Sequence, residues 1–462
     1  LLLRLLGLAL LLLLLHHLHV NGWVVDLVLL LGAVITAALF TWGLPAGEYT
    51  RQADAATGRQ VVVPGTYHTV ERAPVGLFAA AVAIPRGFIE AGDVIMTILL
   101  AGGAFVLLDQ VGVLRRAVGA LTGRLKLKGM WAIPIVSLFF YCMGGLENMQ
   151  EEIIPLIPVM LILARSIGVD ALTAVAISAG SAMAGSAFSP VNPFQAGIAL
   201  KLAELPPTEG AALRTAMFVV AFVAWVAFTL RYASRNRVET ASVASDDTAK
   251  FGARDAIMLF AVLSPVLIYV YGALAFNWGF NELSAGFLIG GILAGAIGGL
   301  GVERTTKLFL GGMEALLPAA LLIGVARSIS VVLADGRVID TVLHSLAAPL
   351  GEAPASVAAL LMIPFHMLVH IPVPSVSGQA VLTMPVLVPL SDLLGLSRQV
   401  TVLAYQMGAG LTDFLTPTNG ALMAVLLAAG VSFQKWFRFA LAGWAVLMSI
   451  GVVGILAAIA IG

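Results

Sequence analysis

The sequence predicts an all-α polytopic membrane protein made of two inverted-topology repeats. Three observations carry this: long apolar runs, an ungapped internal repeat, and basic residues confined to particular connections. Residues classed as hydrophobic make up 60% of the 462 positions and charged ones 11%, with 25 Lys plus Arg against 25 Asp plus Glu. A soluble domain carries about 25% charged residues. The zero balance also removes the electrostatic footprint of a nucleic-acid partner. Residues 24–44, 214–230, 256–276, 308–333 and 439–461 are each apolar over about the ~20 residues that take a helix through a bilayer. They are continuous and rich in Leu, Ala and Gly, unlike the ~10-residue alternating segments of a barrel. Cys142 is the single cysteine, so no intrachain disulfide forms.

Displacing the sequence on itself by 227 residues, the separation of Pro190 from Pro417, superimposes Pro158 on Pro385, Gly168 on Gly395, Asn192 on Asn419 and Ser189 on Thr416 without a gap. The chain reads as two homologous halves, the commonest plan of secondary transporters. Ahead of them, residues 1–22 form an apolar extension, nearly pure Leu around Arg4 and followed by His16, His17 and His19, with no small-residue cleavage site. It is given no part in the fold. The first half, 23–230, contains a re-entrant hairpin at 129–167 and a broken helix at 171–203. A polar linker at 231–255 reads as a mobile cytoplasmic tether. The second half, 256–462, contains a hairpin at 355–394 and a broken helix at 400–430. Each hairpin joins two apolar arms too short to span across a polar, helix-breaking tip, which survives at that depth only in protein or beside a wet cavity. Residues 45–92, with Pro45, Gly47, Gly58, Pro64 and Gly65, read as one long exterior connection with some strand-like structure.

Charge sets the direction. Arg115, Arg116, Arg124, Lys126 and Lys128 crowd one connection and Arg231, Arg235, Arg237, Lys250 and Arg254 another, which places both in the cytoplasm. Counted from there, the first broken helix runs outward and the second inward, ending near Lys435 and Arg438. The expectation is nine crossings and two hairpins in the inner (plasma) membrane, with the N-terminus cytoplasmic and the C-terminus outside.

A broken helix exposes amide N–H groups at one fragment's start and carbonyls at another's end, so it holds an anion and a cation side by side. Ser189 and Asn192 at the first break, and Thr416, Thr418 and Asn419 at the second, are therefore candidate substrate-binding residues. One break alone would be a proline kink; two at equivalent repeat positions point to a site. Asn148 at the first hairpin tip, and Ser375, Ser377 and Gly378 at the second, complete the polar elements. Glu147 and Glu151 at the first tip, with Glu152 beside them, and Asp413 before the second break are candidates for a coupling ion, H+ or Na+, because a carboxylate near mid-bilayer must be paired, protonated or wet. Arg327 lies in an apolar helix and is read either as a clamp for a substrate carboxylate or as a structural residue, bridged to a hairpin acid or snorkelling to the outer interface. His366 and His370 are four apart on one hairpin arm, without a third metal ligand in evidence; no metal is assigned, and His370 is a weaker candidate for proton coupling. No nucleotide-binding loop, hydrolase signature or paired nucleophile and base is present, so no catalytic residue and no cofactor beyond a coupling ion is expected. The resulting function is ion-coupled transport of a small carboxylate-bearing metabolite across the lipid bilayer by alternating access. A channel is the alternative class, since re-entrant loops also build filters.

The residues Pro45, Ala46, Gly47, Glu48, Tyr49; Asn192, Pro193, Phe194; Ser375, Val376, Ser377, Gly378, Gln379; and Pro417, Thr418 resemble the YfcC-like branch of the C4-dicarboxylate anaerobic carrier family, within the ion transporter superfamily, over nearly all of 22–462. The resemblance implies an inverted-repeat fold with scaffold and transport parts, a homodimer, and carriage of C4-dicarboxylates or amino acids, a basic amino acid antiporter being the variant reading. The sequence departs from that pattern at Gly408, Ala409, Gly410, where an Asp often stands between the glycines, and at His370, where Asn is frequent. The missing acid weighs against a cationic substrate.

Overall fold

The structure is a computed structural model in which residues 22–53, 60–114, 116–117, 120, 129–190, 192–206, 208–239, 251–276 and 278–461 are described. The extension at 1–21, most of the first basic connection and the centre of the linker lie outside these residues. The described chain is mostly helical. Among the described residues, seven helices are long and apolar enough to cross a membrane: Gly92–Gln110, Ala171–Phe188, Ala211–Arg235, Phe280–Ile297, Gly301–Asp335, Val376–Leu393 and Phe433–Ile461. Phe78, Phe260, Ile289 and Val453 are each more than half exposed, so large apolar side chains turn outward, as a lipid solvent requires.

The helices divide into a scaffold and a set of interrupted elements. In the scaffold, α1 (Gly22–Gly43), α2 (Leu77–Glu90), α3 (Gly92–Gln110), α10 (Ala253–Phe276) and α11 (Phe280–Ile297) gather on and around the 35-residue α12 (Gly301–Asp335). Bare backbone makes the seam: a Cβ on Gly87 would sit 2.5 Å from the Gly324 carbonyl oxygen, and one on Gly312 would strike the Gly102 carbonyl. Lipid gives helices no hydrophobic reason to associate, and close approach through small residues supplies the dispersion contact instead. Asp335 of α12 takes two hydrogen bonds from Arg86 of α2, at 2.5 and 3.0 Å.

The interrupted elements come next. Hairpin one comprises α4 (Ala132–Glu147), a 3-10 turn Glu151–Leu156 and α5 (Ile157–Ile167). The first broken helix follows as α6 (Ala171–Val175), a π segment Ala176–Gly180, α7 (Ser181–Phe188), the break, a second π segment Pro193–Gly197 and α8 (Ile198–Leu202). After α9 (Ala211–Arg235) and the scaffold helices, α13 (Ile339–Ala347) leads into hairpin two, α14 (Ala355–His370) and α15 (Val376–Leu393). The second broken helix is α16 (Arg398–Tyr405), a π segment Gln406–Gly410, the break and α17 (Gly420–Ala428); α18 (Phe433–Ile461) closes the described chain.

Three boundaries differ from the sequence reading. The connection at 45–92 holds two short antiparallel pairs, Gly47–Glu48 with His68–Thr69 and Arg51–Ala53 with Gln60–Val62, yet from Leu77 it is helix α2. Arg86 and Glu90 gave that stretch a loop-like polarity, and both are in fact held by α12 across the seam. Helix α13 was not anticipated; its Asp340 is fixed by Arg51 Nη2 at 2.7 Å and the Tyr49 amide at 2.9 Å, which ties the ribbon of short strands to it. At the linker's start, 231–235 continue α9, and the Val238 amide bonds the Gly168 carbonyl at 3.2 Å, so the tether begins later than the polar composition suggested.

Candidate functional site

The two breaks are built on one plan. At the first, Pro190 lacks the amide that would continue α7, and Ser189 turns to extended backbone. The Asn192 Oδ1 accepts the Phe194 and Gln195 amides at 2.8 and 3.1 Å, capping the next fragment. Its Nδ2 donates to the Gly144 carbonyl at 3.0 Å, while Ser189 Oγ donates to the Gly145 carbonyl at 2.5 Å. Those carbonyls end α4, where Asn148 takes the left-handed conformation (φ 61°) that reverses the chain into the tip. Ser186 Oγ lies on Asn148 Oδ1 and 3.2 Å from Gln195 Oε1. The first break is thereby stitched to its own hairpin.

At the second, Asn419 Oδ1 accepts the Leu422 amide at 3.0 Å and caps α17. The same residue's Nδ2 donates to Asp413 Oδ1 at 2.8 Å and to Gln150 Oε1 at 3.1 Å, and Gln150 Nε2 donates to Asp413 Oδ2 at 3.1 Å. Gln150 belongs to the tip of hairpin one, so this break is tied across the halves. Thr416 and Thr418 share a 2.7 Å hydroxyl contact. His370 Nε2 stands 2.9 Å from Asp413 Oδ1 and its Nδ1 2.7 Å from Gln379 Oε1, linking hairpin two to the same carboxylate. The broken helices also touch directly: Gln406 Nε2 donates to the Ser189 carbonyl at 2.9 Å, and Gln195 Nε2 to the Gln406 carbonyl at 3.3 Å. The Ser189 carbonyl at the break and the Gln406 carbonyl of the π segment are thus each met by an amide side chain.

A cavity of about 470 Å³ lies where these elements meet. Hairpin one contributes Asn148, Gln150, Glu151 and Glu152; hairpin two Pro374, Ser375, Val376 and Ser377; the second break Asp413, Thr418 and Asn419. The scaffold closes it with Glu90, Asp93, Ile323, Ala326 and Arg327. The N-terminal turns of α15 and α17 reach its wall at Val376 and Gly420. A second cavity of about 600 Å³ shares Glu90, Arg327, Pro374 and Ser375 with the first and reaches Glu48, Arg51 and Arg337 beside the ribbon. The Arg327–Glu90 ion pair, at 3.1 Å, sits at the junction.

Of the residues singled out from the sequence, Asn148, Glu151, Arg327, Ser375, Ser377, Asp413, Thr418 and Asn419 share the first cavity, and Gly378 lines only the second. Ser189, Asn192 and Thr416 are buried away from that wall. Glu147 ends α4, and its side chain is outside the described set. Arg327 pairs with Glu90 of the scaffold and not with a hairpin acid. Sequence reasoning passed over Gln150 and Gln379, visible only as tip residues, and over Glu90 and Asp93, which sat in or beside a presumed loop. The one signal that could have found Gln379 is the repeat itself, which sets it opposite Glu152.

Two hairpin tips facing discontinuous helices across a polar cavity, inside a shell of outward-facing apolar helices, define the class: a multi-pass membrane transporter. The chain belongs to the C4-dicarboxylate anaerobic carrier family, whose sequence profile matches residues 25–460. Among its relatives, an uncharacterized protein of Haemophilus influenzae is 29% identical over 412 residues, 85% of this chain and 80% of its own length. The Escherichia coli K12 protein described as "Putative basic amino acid antiporter YfcC" is also 29% identical, covering 89% of this chain and 91% of its own. Among solved structures, the Alcanivorax borkumensis YdaH transporter is similar over 93% of this chain and 97% of its own, at 17% identity and a TM-score of 0.43. The Neisseria gonorrhoeae MtrF structure covers 94% of both chains at 15% identity and a TM-score of 0.41.

Proposed function

We propose that this chain is an ion-coupled secondary transporter of a small carboxylate-bearing metabolite in the cell's inner membrane, with its N-terminus cytoplasmic, working by alternating access at the cavity between the hairpin tips and the second break. The observation that carries this is the wall itself. Two helix N-termini and Arg327 offer the groups that receive a carboxylate. Around the same cavity, Glu90, Asp93, Glu151, Glu152 and Asp413 make five acids against one lining arginine. That excess favours a substrate that also brings a cationic amine over a C4-dicarboxylate, which would add two further negative charges. An amino acid with a basic side chain suits it, in line with the description of the Escherichia coli relative. The missing acid between Gly408 and Gly410 does not oppose this, since the acids come from hairpin one, the scaffold and Asp413 at the second break.

The test is counterflow and uptake in proteoliposomes with arginine, lysine, succinate and fumarate as probes, under imposed proton or sodium gradients. Saturable carriage of arginine or lysine that exceeds that of succinate is expected. Conductance without saturation points to a channel, and indifference to every gradient removes ion coupling. The homodimer that the family resemblance implies is measured on the same preparation as its native mass.

A further inference from the structure

Four side-chain amide and imidazole groups between the hairpins and the second break have their orientations fixed by backbone groups at the two ends of the chain they form. At one end, the Leu422 amide donates to Asn419 Oδ1, which turns Asn419 Nδ2 toward Asp413. That nitrogen also meets Gln150 at 3.1 Å, so the Gln150 oxygen faces it and the Gln150 nitrogen donates to Asp413 Oδ2. At the other end, the His366 carbonyl can only accept, and it lies 2.8 Å from Gln379 Nε2. Gln379 therefore presents its oxygen to His370 Nδ1, 2.7 Å away, and that nitrogen must carry a proton.

A neutral imidazole has a single N–H. With it committed to Gln379, the 2.9 Å contact between His370 Nε2 and Asp413 needs a second proton. Amides from Asn419 and Gln150 already converge on Asp413, which is the surrounding of an ionised carboxylate. We infer that His370 and Asp413 form the proton-binding site of this transporter, an imidazolium–carboxylate pair whose extra proton fastens hairpin two to the second break. Both residues are buried, His370 fully. The inference deepens the transport reading above and rests on it for what the proton drives.

Loss of that proton sets two lone pairs against each other, either at Asp413 or at Gln379, so one of the ties between hairpin two and its neighbours must break. Binding and release of a proton are in this way linked to the closure of the cavity, whose wall includes Asp413 but not His370. The titratable and charged groups facing the pair are His366 on α14, Glu151 and Glu152 of hairpin one, Glu90 and Asp93 of the scaffold, and Arg327 across the cavity.

The first experiment needs no substrate. Full-length chain labelled with 15N-histidine is placed in nanodiscs at neutral pH, and the His370 signals are identified by their loss in His370→Asn. Two protonated ring nitrogens on His370, becoming one in Asp413→Asn, are expected; a single protonated nitrogen in the native chain overturns the inference. The second experiment uses arginine and succinate as probes in proteoliposomes. A gradient of one pH unit raises accumulation about tenfold per coupled proton, and in His370→Asn this response is expected to vanish. Its persistence in that variant refutes the assignment. If neither probe is carried, the functional reading fails, while the ring-nitrogen result still decides whether the proton is there.

Discussion

The two breaks are equivalent in the repeat and differ in charge. Asn192 and Asn419 are counterparts; each caps the fragment that follows and reaches back with its amide nitrogen to the residue six positions earlier, Ser186 in one case and Asp413 in the other. In the first half that residue is a hydroxyl, the hairpin position equivalent to His370 is Met143, and the amide's stronger bond goes to a backbone carbonyl of the same half. In the second half it is a carboxylate that collects donors from both hairpins. The comparison teaches that one ancestral motif has been made into a fastening on one side and into a responsive site on the other.

The largest effect is expected from erasing the difference in the wrong direction. Ser186→Asp places a carboxylate at a buried position whose described side-chain partners, Asn148, Asn192 and Gln195, include no base, and such unpaired charge costs about 3–5 kcal/mol. A fall of many degrees in the melting temperature of the purified protein, or failure to yield folded protein, is the expected outcome; an unchanged melting temperature breaks the comparison. Next comes the pair Asn192→Ala and Asn419→Ala. Each removes a cap and a buried hydrogen bond, worth about 1–3 kcal/mol, so both lower the melting temperature alike. Only Asn419→Ala is expected to reduce substrate transport, by about tenfold or more, because only that residue lines the cavity. Equal losses of transport would show that the first break also binds.

A smaller effect belongs to the junction. Arg327 and Glu90 are partly exposed, and a pair of that kind contributes about 0–1 kcal/mol. Glu90→Gln is therefore expected to leave the melting temperature in place and to change the KM for the carried probe. The least is expected at Thr416, whose hydroxyl, among the described residues, meets Thr418 and the Thr418 amide and lies off the cavity wall. Thr416→Val costs about 1 kcal/mol of stability and leaves KM unchanged, in contrast to Thr418→Val.

The breaks were legible because proline and asparagine announce them locally and the 227-residue offset places them together. Membrane class, helical architecture and family followed from apolar length and a few quoted motifs. The chemistry between the breaks was less visible. His370 and Asp413 are 43 residues apart on different elements, and their meeting depends on how hairpin two folds back. Gln150 and Gln379 look like any tip residue until the carbonyls they face are known. Glu90 was hidden by its own neighbourhood, since the charges that made 77–90 look like loop are satisfied by a helix more than two hundred residues away.

The Asp340 staple has a practical side. Strand Gln60–Val62 packs on α15, and the ribbon is pinned to α13 through Asp340 and through Tyr67 with Thr341 at 3.1 Å. The ribbon is thus mechanically geared to hairpin two while lining only the second cavity and not the first. A fluorophore on its surface, or an antibody fragment raised against it, would serve as a remote gauge of the hairpin's position during turnover, read without a label near the substrate.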